Sequence, residues 1–136
     1  MDRFVTNFIV MSLVYLAVAS VLGILMIVNP DFLTLRFVHS HFMLLGWVSM
    51  MIYGVGYHIL PRFSGRLLKS KAMAEVQFWL ANIGLIGLAI SYTLGTYYSD
   101  AGIYRTLTLL SGLIEVFSIF LFFYNMLATL LAKEKG

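Results

Sequence analysis

Apolar residues run along this chain in four long stretches, separated by three short connections that carry many of its charged residues. The stretches are Phe4–Val28, Phe37–Leu60, Met73–Thr96 and Ile103–Leu131. Each exceeds the roughly 20 mainly apolar residues that a transmembrane α-helix requires. Helices joined by short connections pack side by side in opposite directions. The pattern predicts an all-α integral membrane protein, built as a four-helix antiparallel transmembrane bundle.

The composition supports a membrane protein. Hydrophobic residues make up 61% of the chain and charged residues 11%, and the mean hydropathy is +0.93. Soluble domains carry about 25% charged residues. The four stretches occupy nearly all of residues 1–136, so we expect a single four-span transmembrane domain. The first stretch is too long for a signal peptide, and no cleavage site of small residues follows it, so we expect it to be retained.

The formal net charge of +3 is explained by the membrane topology that we expect. Four cations crowd into the second connection, whereas the other two connections each balance an acid with an arginine. The four are Arg62, Arg66, Lys69 and Lys71. Arg3 lies at one terminus, and Lys133 and Lys135 lie at the other. By the positive-inside rule, the second connection and both termini are predicted to be cytoplasmic. The charge therefore indicates no nucleic-acid partner.

All three histidines, His39, His41 and His58, lie on the second apolar stretch, and the chain has no cysteine. The absence of cysteine excludes disulfides and thiolate metal sites. An ionisable side chain at membrane depth is a functional candidate by default. The sequence therefore predicts a metal or haem centre between the helices, with His39 and His41 near the outer surface and His58 near the cytoplasmic one.

A regular helix, turning about 100° per residue, would separate His39 from His41 by about 200°. The predicted His39 face contains Gly46, Met50, Tyr53 and Tyr57. The predicted His41 face is aliphatic and contains Val48, Ile52, Val55 and Ile59. Either the two imidazoles serve different partners, or the helix begins irregularly at His39. His58 lies about 30 Å further along a regular helix, too far to share a centre with His39 of the same chain.

Small and polar residues form stripes on the last two stretches. The third carries Gln77 and Asn82 near its start, followed by a small-residue stripe that favours close helix packing: Gly84, Gly87, Ser91 and Gly95. Trp79 either anchors the membrane interface or forms a wall of a cofactor site. The fourth stretch repeats a polar residue every seven positions, at Ser111, Ser118 and Asn125. That line is predicted to face protein or water.

Glu115 is the only acid well inside an apolar stretch. Three interpretations are open: a proton carrier, a partner to a cation or an imidazole, or a buried hydrogen-bonded acid without further function.

Two segments of the second stretch resemble a known family. Arg36–Trp47 (RFVHSHFMLLGW), continuing to Tyr57–Arg62 (YHILPR), resembles the second transmembrane helix of heme–copper oxidase subunit I, most closely in the C-family oxidases and nitric oxide reductases. Short four-span proteins similar to subunit I share the His-x-His pattern, and their third span begins as Phe78–Gly84 does. A full subunit has many more spans, with its remaining haem and copper ligands on the later ones, so oxygen reduction with proton pumping is not implied.

In that superfamily a histidine near the outer end of this helix is an axial ligand of the low-spin haem. The resemblance therefore implies that His39 binds b-type haem, with copper as an additional candidate. We predict that the cofactor contacts His39, His41, Arg36, Trp47 and Tyr53, and that the metal ligands are His39, His41 and, with the weakest support, His58. Arg36 would pair with haem propionates or merely flank the span.

Several of these roles stay open. His41 is a haem ligand, a copper ligand or a group that orients another ligand. His58 either ligates a second haem or is an interfacial imidazole beside Arg62. Tyr53 and Tyr57 are alternatively packing aromatics. A second axial ligand would come from His41, from Met43 or Met50, or from another copy of the chain, and the last possibility predicts a homodimer.

The expected function is redox chemistry in a bacterial-type plasma (inner) membrane, either electron transfer or the binding and reduction of a diatomic gas such as oxygen or nitric oxide. A cytochrome or a quinol would be the electron donor. The catalytic residues are unknown, and whether the protein is an oxidoreductase is left open. The alternatives are a cofactor-free accessory or assembly subunit of a terminal oxidase, and a copper-binding or transport module with Glu115 on its path.

Overall fold

The computed structural model describes residues 1–98 and 101–132, and every regular element in them is helical. The elements are α1 (Arg3–Val28), a 3₁₀ helix (Pro30–Leu35), α2 (Arg36–His41), a π-helix (Phe42–Ser49), α3 (Met50–Phe63), α4 (Lys71–Tyr97) and α5 (Ala101–Leu130). The segment Pro30–Phe63 forms one continuous second span. Within the described ranges, four helices are long and apolar enough to cross a membrane, so this is a multi-pass membrane protein. Asp100, Lys133 and Lys135, whose charges entered the topology prediction, lie outside the described residues.

The first connection is more ordered than the sequence suggests. As predicted, α1 ends at Val28, directly before Asn29. The Asn29 side chain then accepts a hydrogen bond of 2.9 Å from the backbone N–H of Asp31, and Pro30 occupies the first helical position. An asparagine cap followed by proline favours a helical start. Residues expected in a loop therefore form a 3₁₀ turn that leads directly into α2.

The second span extends three residues beyond Leu60, its predicted end. Helix α3 continues through Pro61 to Phe63 and ends just before Gly65. Proline removes only its own N–H, and the following amides still bond within the helix, since Ser64 donates to the Leu60 carbonyl oxygen at 3.0 Å. Gly65, with a φ of 65°, takes the left-handed conformation that ends the helix.

The second span departs from a regular α-helix directly after its paired histidines. Residues Phe42–Ser49 form a π-helix, in which each turn holds more residues than an α-turn. The prediction of a regular α-helix from His39 onward is therefore wrong over this segment. Its two faces nevertheless appear in the structure, because Gly46, Met50, Tyr53 and Tyr57 are buried. The four aliphatic residues of the other face are exposed, namely Val48, Ile52, Val55 and Ile59.

An aromatic cluster joins α1, α3, α4 and α5. Phe8 of α1 meets Tyr53 of α3 edge-on, with ring centroids 5.7 Å apart, and meets Phe78 of α4 at 5.2 Å. Phe122 of α5 lies 4.6 Å from the Tyr53 ring and 5.2 Å from that of Tyr57. Edge-to-face aromatic contacts of this kind add stability beyond shape complementarity alone. The aromatic core therefore lies around α3, where Tyr53 and Tyr57 meet rings of the other helices.

Contacts between connections and helix ends define the two ends of the bundle. At the basic end, which holds Arg66, Lys69 and Lys71, Arg66 donates to the Leu130 carbonyl oxygen, and Lys71 pairs with Asp2 at 2.9 Å. At the histidine end, which holds Thr34, His41 and Tyr97, the hydroxyls of Thr34 and Tyr97 lie 3.2 Å apart.

Helices α4 and α5 pack along the predicted small-residue stripe. A Cβ atom added at Gly84 would lie 2.8 Å from the Glu115 backbone nitrogen, and one added at Gly95 would lie 3.1 Å from the Tyr104 Cβ. Side chains larger than hydrogen at these positions would push the backbones apart. The prediction that this stripe serves packing is confirmed.

Candidate functional site

His39 lies against α1 rather than among the aromatic side chains of the core. Its Nδ1 atom is 2.8 Å from the carbonyl oxygen of Ala19, and a Cβ added at Gly23 would lie 3.2 Å from its Cε1. A carbonyl oxygen can only accept, so Nδ1 carries the proton and Nε2 keeps its lone pair in the neutral ring. Histidines that bind metals typically donate their other ring N–H to such a group. The His39 imidazole is thus in a state that can bind a metal through Nε2.

His41 points to a different neighbour. Its Nδ1 lies 2.8 Å from the Phe37 carbonyl oxygen one turn earlier, and its ring stacks on the Phe37 ring at 3.9 Å. Phe37 in turn stacks on Tyr92 of α4, also at 3.9 Å. The same argument gives His41 a free Nε2 lone pair. His39 thus contacts α1, whereas His41 lies beside α4, so the two imidazoles have different surroundings within one chain.

His58 is half-buried near the basic end. Arg62, one turn later, approaches the His58 Nδ1 at 2.8 Å and also donates to the His58 carbonyl oxygen. Arginine only donates, so Nδ1 of His58 accepts and the proton of the neutral ring sits on Nε2. His58 therefore has the opposite tautomer to His39 and His41.

The remaining residues considered for the site are either buried in the core or partly to largely exposed. Tyr53 is buried in the aromatic cluster, 5% exposed, and Met50 is fully buried beside it. Arg36 is exposed at the histidine end, and Trp47 and Met43 are half-buried. Trp79 is 63% exposed on the side of α4 that faces away from the bundle, which is consistent with an interfacial anchor.

Two cavities at the histidine end share Phe37 and Tyr92 in their lining. One, of about 440 Å³, is lined by residues that include Arg36 and His41. The other, of about 640 Å³, is lined by α4 and α5 residues that include Ser91, Tyr104 and Arg105. These cavities bring an arginine, an imidazole and aromatic rings to one end of the bundle.

The described residues contain no group of three or more His, Asp or Glu side chains that could hold a metal ion.

The predicted polar line of α5 faces the protein interior. Glu115, Ser118 and Asn125 are buried, and Ser111 is half-buried. Asn125 bonds Ser70 in both directions, accepting from its N–H at 3.0 Å and donating to its carbonyl oxygen at 2.8 Å. The prediction that this line faces protein or water is confirmed.

Sequence reasoning missed the residues that support His39. Ala19 is fully buried and supplies its backbone carbonyl oxygen, and Gly23 leaves room for the imidazole. Their spacing of four residues places them on one face of α1, which was the available signal. A second missed contact is the buried hydrogen bond of 2.9 Å from the Tyr15 hydroxyl to the Asn82 side-chain oxygen.

Comparison with known proteins identifies the family. A family model described as "Cytochrome C and Quinol oxidase polypeptide I" matches residues 3–136. The chain belongs to this family. The resemblance to heme–copper oxidase subunit I is thereby confirmed.

A curated relative of this oxidase family is the "Cbb3-type cytochrome c oxidase subunit CcoN1" of Stutzerimonas stutzeri. It is 41% identical over 49 residues, which cover 35% of the chain and 10% of the relative. The chain thus matches only a small part of that relative's length. No solved structure matches the chain.

Proposed function

We propose that this member of the oxidase family is a membrane-embedded, b-type haem-binding redox protein, acting in electron transfer or in the binding and reduction of oxygen or nitric oxide. The observation that carries the proposal is the 2.8 Å contact between Nδ1 of His39 and the Ala19 carbonyl oxygen. It fixes the tautomer that an axial histidine ligand needs. Family membership supports haem as the group that this imidazole binds.

The residues of one chain fit a single axial ligand better than a pair. His39 is supported by α1, while His41 stacks on Phe37 beside α4. Haem, when bound, supplies an iron that exchanges one electron reversibly. Here His39 would hold the iron, and Arg36 would provide a cation for the haem carboxylates at the histidine end. His41 would orient the group or bind copper from its own cavity.

A second copy of the chain would supply the missing axial ligand. An isologous dimer joins the same surface patch of both copies. The exposed aliphatic residues of the second span provide a surface for such contact, namely Val48, Ile52, Val55 and Ile59.

The proposed topology is a single-domain antiparallel bundle with both termini and the basic end on the cytoplasmic side of a bacterial plasma membrane. Arg62, Arg66, Lys69 and Lys71 support this orientation by the positive-inside rule. The histidine end would then lie near the outer surface, where a cytochrome or a quinol could deliver electrons.

The test is the absorption spectrum and metal content of the purified protein, produced with ample iron and porphyrin precursors. The proposal predicts a Soret band and sharp α and β bands on reduction. Colourless protein that contains copper would instead support a copper-binding or transport module, and colourless metal-free protein an accessory subunit. Carbon monoxide binding to the reduced protein then separates a gas-reactive iron, which shifts the spectrum, from a closed electron carrier, which does not.

A further inference from the structure

Glu115 is a buried acid that the haem site does not use. It lies at the α4–α5 interface, 2% exposed, and neither carboxyl oxygen has a hydrogen-bond partner within residues 1–98 and 101–132. The one ion pair among these residues joins Lys71 to Asp2, at the basic end. Burying an unpaired carboxylate in apolar surroundings is costly, so the group is best accommodated as a neutral acid that holds a proton.

Polar groups lead from Glu115 towards the histidine end. Ser111 lies one turn before Glu115 and faces Gly87 of α4, as Glu115 itself faces Gly84. The next turn carries Thr108, whose hydroxyl is 2.9 Å from that of Ser91. These steps are each about one helical turn, or 5.4 Å, a spacing that single waters can bridge.

This polar line ends at an open cavity. Ser91 and Thr108 both line the cavity of about 640 Å³, together with Tyr104 and Arg105. Arg105 is exposed, so water and ions can reach the cavity end of the line. Small residues of α4 keep the opposite side of the line free of bulky side chains.

In the other direction the polar line is interrupted. Ser118 lies one turn after Glu115, and its hydroxyl also has no partner among the described residues. Beyond it, Phe122 packs against the rings of Tyr53 and Tyr57 and fills the next turn. Asn125, the next polar residue of the line, is bonded to Ser70 at the basic end and also donates to the Tyr57 hydroxyl at 3.5 Å. The Phe122 ring therefore lies between Ser118 and the polar groups of the basic end.

The titratable groups near Glu115 on the neighbouring helices are phenols. These phenols are Tyr15 of α1 and Tyr53 of α3. Tyr15 donates its hydroxyl hydrogen to Asn82, and Tyr53 is buried in the aromatic cluster. On α4, Gly84 faces the carboxyl and brings no charge. Arg105 is the charged group of the cavity end.

We propose that Glu115 is a proton carrier that exchanges its proton with the cavity at the histidine end, through Ser111 and the Ser91–Thr108 hydroxyl pair. In the exchange step the carboxyl O–H bond breaks, the proton moves to a water or hydroxyl oxygen along this line, and a carboxylate remains. The reverse transfer restores the neutral acid. No electron moves in this step, and it does not depend on haem binding.

The test uses the full chain, reconstituted in vesicles with one orientation and followed by infrared difference spectroscopy after transfer to deuterated water. We expect the carbonyl band of a protonated carboxylic acid, lost in Glu115→Gln and kept in Glu75→Gln, whose acid is exposed on α4. Deuteration should be fast when heavy water is added on the histidine side and slow when it is added on the basic side.

Two serine variants keep Glu115 in place and test the path itself. Ser111→Ala should slow deuteration about tenfold, because it removes one hydrogen-bonding step of the path. Ser118→Ala removes the matched hydroxyl on the other side of Glu115 and should leave the rate unchanged. Absence of the acid band, equal rates for the two variants, or faster exchange from the basic side would each overturn the proposal.

Discussion

The Nδ1 atom of His39 lies 2.8 Å from the carbonyl oxygen of Ala19, on a neighbouring helix. This contact ties the imidazole to α1 and leaves its Nε2 lone pair free. The haem proposal depends on this relationship, because a ligand histidine needs both a fixed ring and the correct tautomer.

Gly23→Val should weaken haem binding. The added Cβ would lie 3.2 Å from Cε1 of His39, and the two methyl groups beyond it would push the imidazole away from Ala19. Changes to the group that supports a ligand histidine typically reduce affinity by about 10- to 100-fold. Haem titration of the purified variant measures this loss. Gly102→Val is the matched control, because no atom lies within 4 Å of its added Cβ. Equal affinities for the two variants would contradict the role given to Gly23.

Gly84→Ala should destabilise the bundle. Its Cβ would lie 2.8 Å from the Glu115 backbone nitrogen, so α4 and α5 must move apart. Overpacking of this kind costs about 1–3 kcal/mol, which exceeds the gain of about 1 kcal/mol in helix propensity. Denaturant unfolding in detergent micelles measures the difference. Gly102→Ala gains the propensity without the clash and should not destabilise, so a loss of stability in both variants would argue against close packing as the cause.

The hydrogen bond from the Tyr57 hydroxyl to the Gln77 side-chain oxygen, 2.6 Å long, is a buried polar contact in the core. Tyr57→Phe should cost about 1–3 kcal/mol, because it leaves the buried glutamine oxygen without its donor. Replacing both residues, by adding Gln77→Leu, should cost less than the sum of the single changes. A double-mutant cycle of unfolding free energies measures the coupling. Additive costs would show that the hydrogen bond contributes nothing.

The Asp2–Lys71 ion pair predicts a weak dependence of stability on acid. The hydrogen bond from the Lys71 ammonium, together with its charge, lowers the pKa of Asp2 below the ordinary value of 3.8. The stabilisation is therefore fully present above pH 3.8 and is lost as the pH falls through the lowered pKa. Both side chains are largely exposed, so the pair should contribute about 0–1 kcal/mol, and less in high salt. Unfolding of the wild type and Asp2→Asn at neutral and acid pH measures it. A larger acid loss in the variant than in the wild type would contradict the assignment.

The helical spans could be predicted from the sequence because long apolar stretches have few alternatives in a membrane. The small-residue stripe of α4 and the polar line of α5 were also predictable, since both follow from helical periodicity alone. Gly84 and Glu115 meet across one interface because the small-residue face of α4 packs against the polar face of α5.

The π-helix could not be predicted, because its hydrogen-bond register depends on contacts between helices. Gly46 lies within the π-helix, and a Cβ added there would come 2.7 Å from the Cβ of Tyr15. Local sequence does not report such a contact, and a regular α-helix was therefore predicted through Phe42–Ser49. The contact of His39 with Ala19 was missed for a related reason: its acceptor is a backbone atom, which any residue type provides.

The central claim is that His39 binds haem iron, and the reduced spectrum of His39→Ala tests it most directly, beside His58→Ala prepared in the same way. We expect the wild type to show a Soret band with sharp α and β bands and His39→Ala to lose or recast them. His58→Ala should keep them, because the wild-type His58 ring accepts a hydrogen bond from Arg62 and is not an iron ligand in this proposal. A wild type without colour, or a spectrum unchanged by His39→Ala, would contradict it.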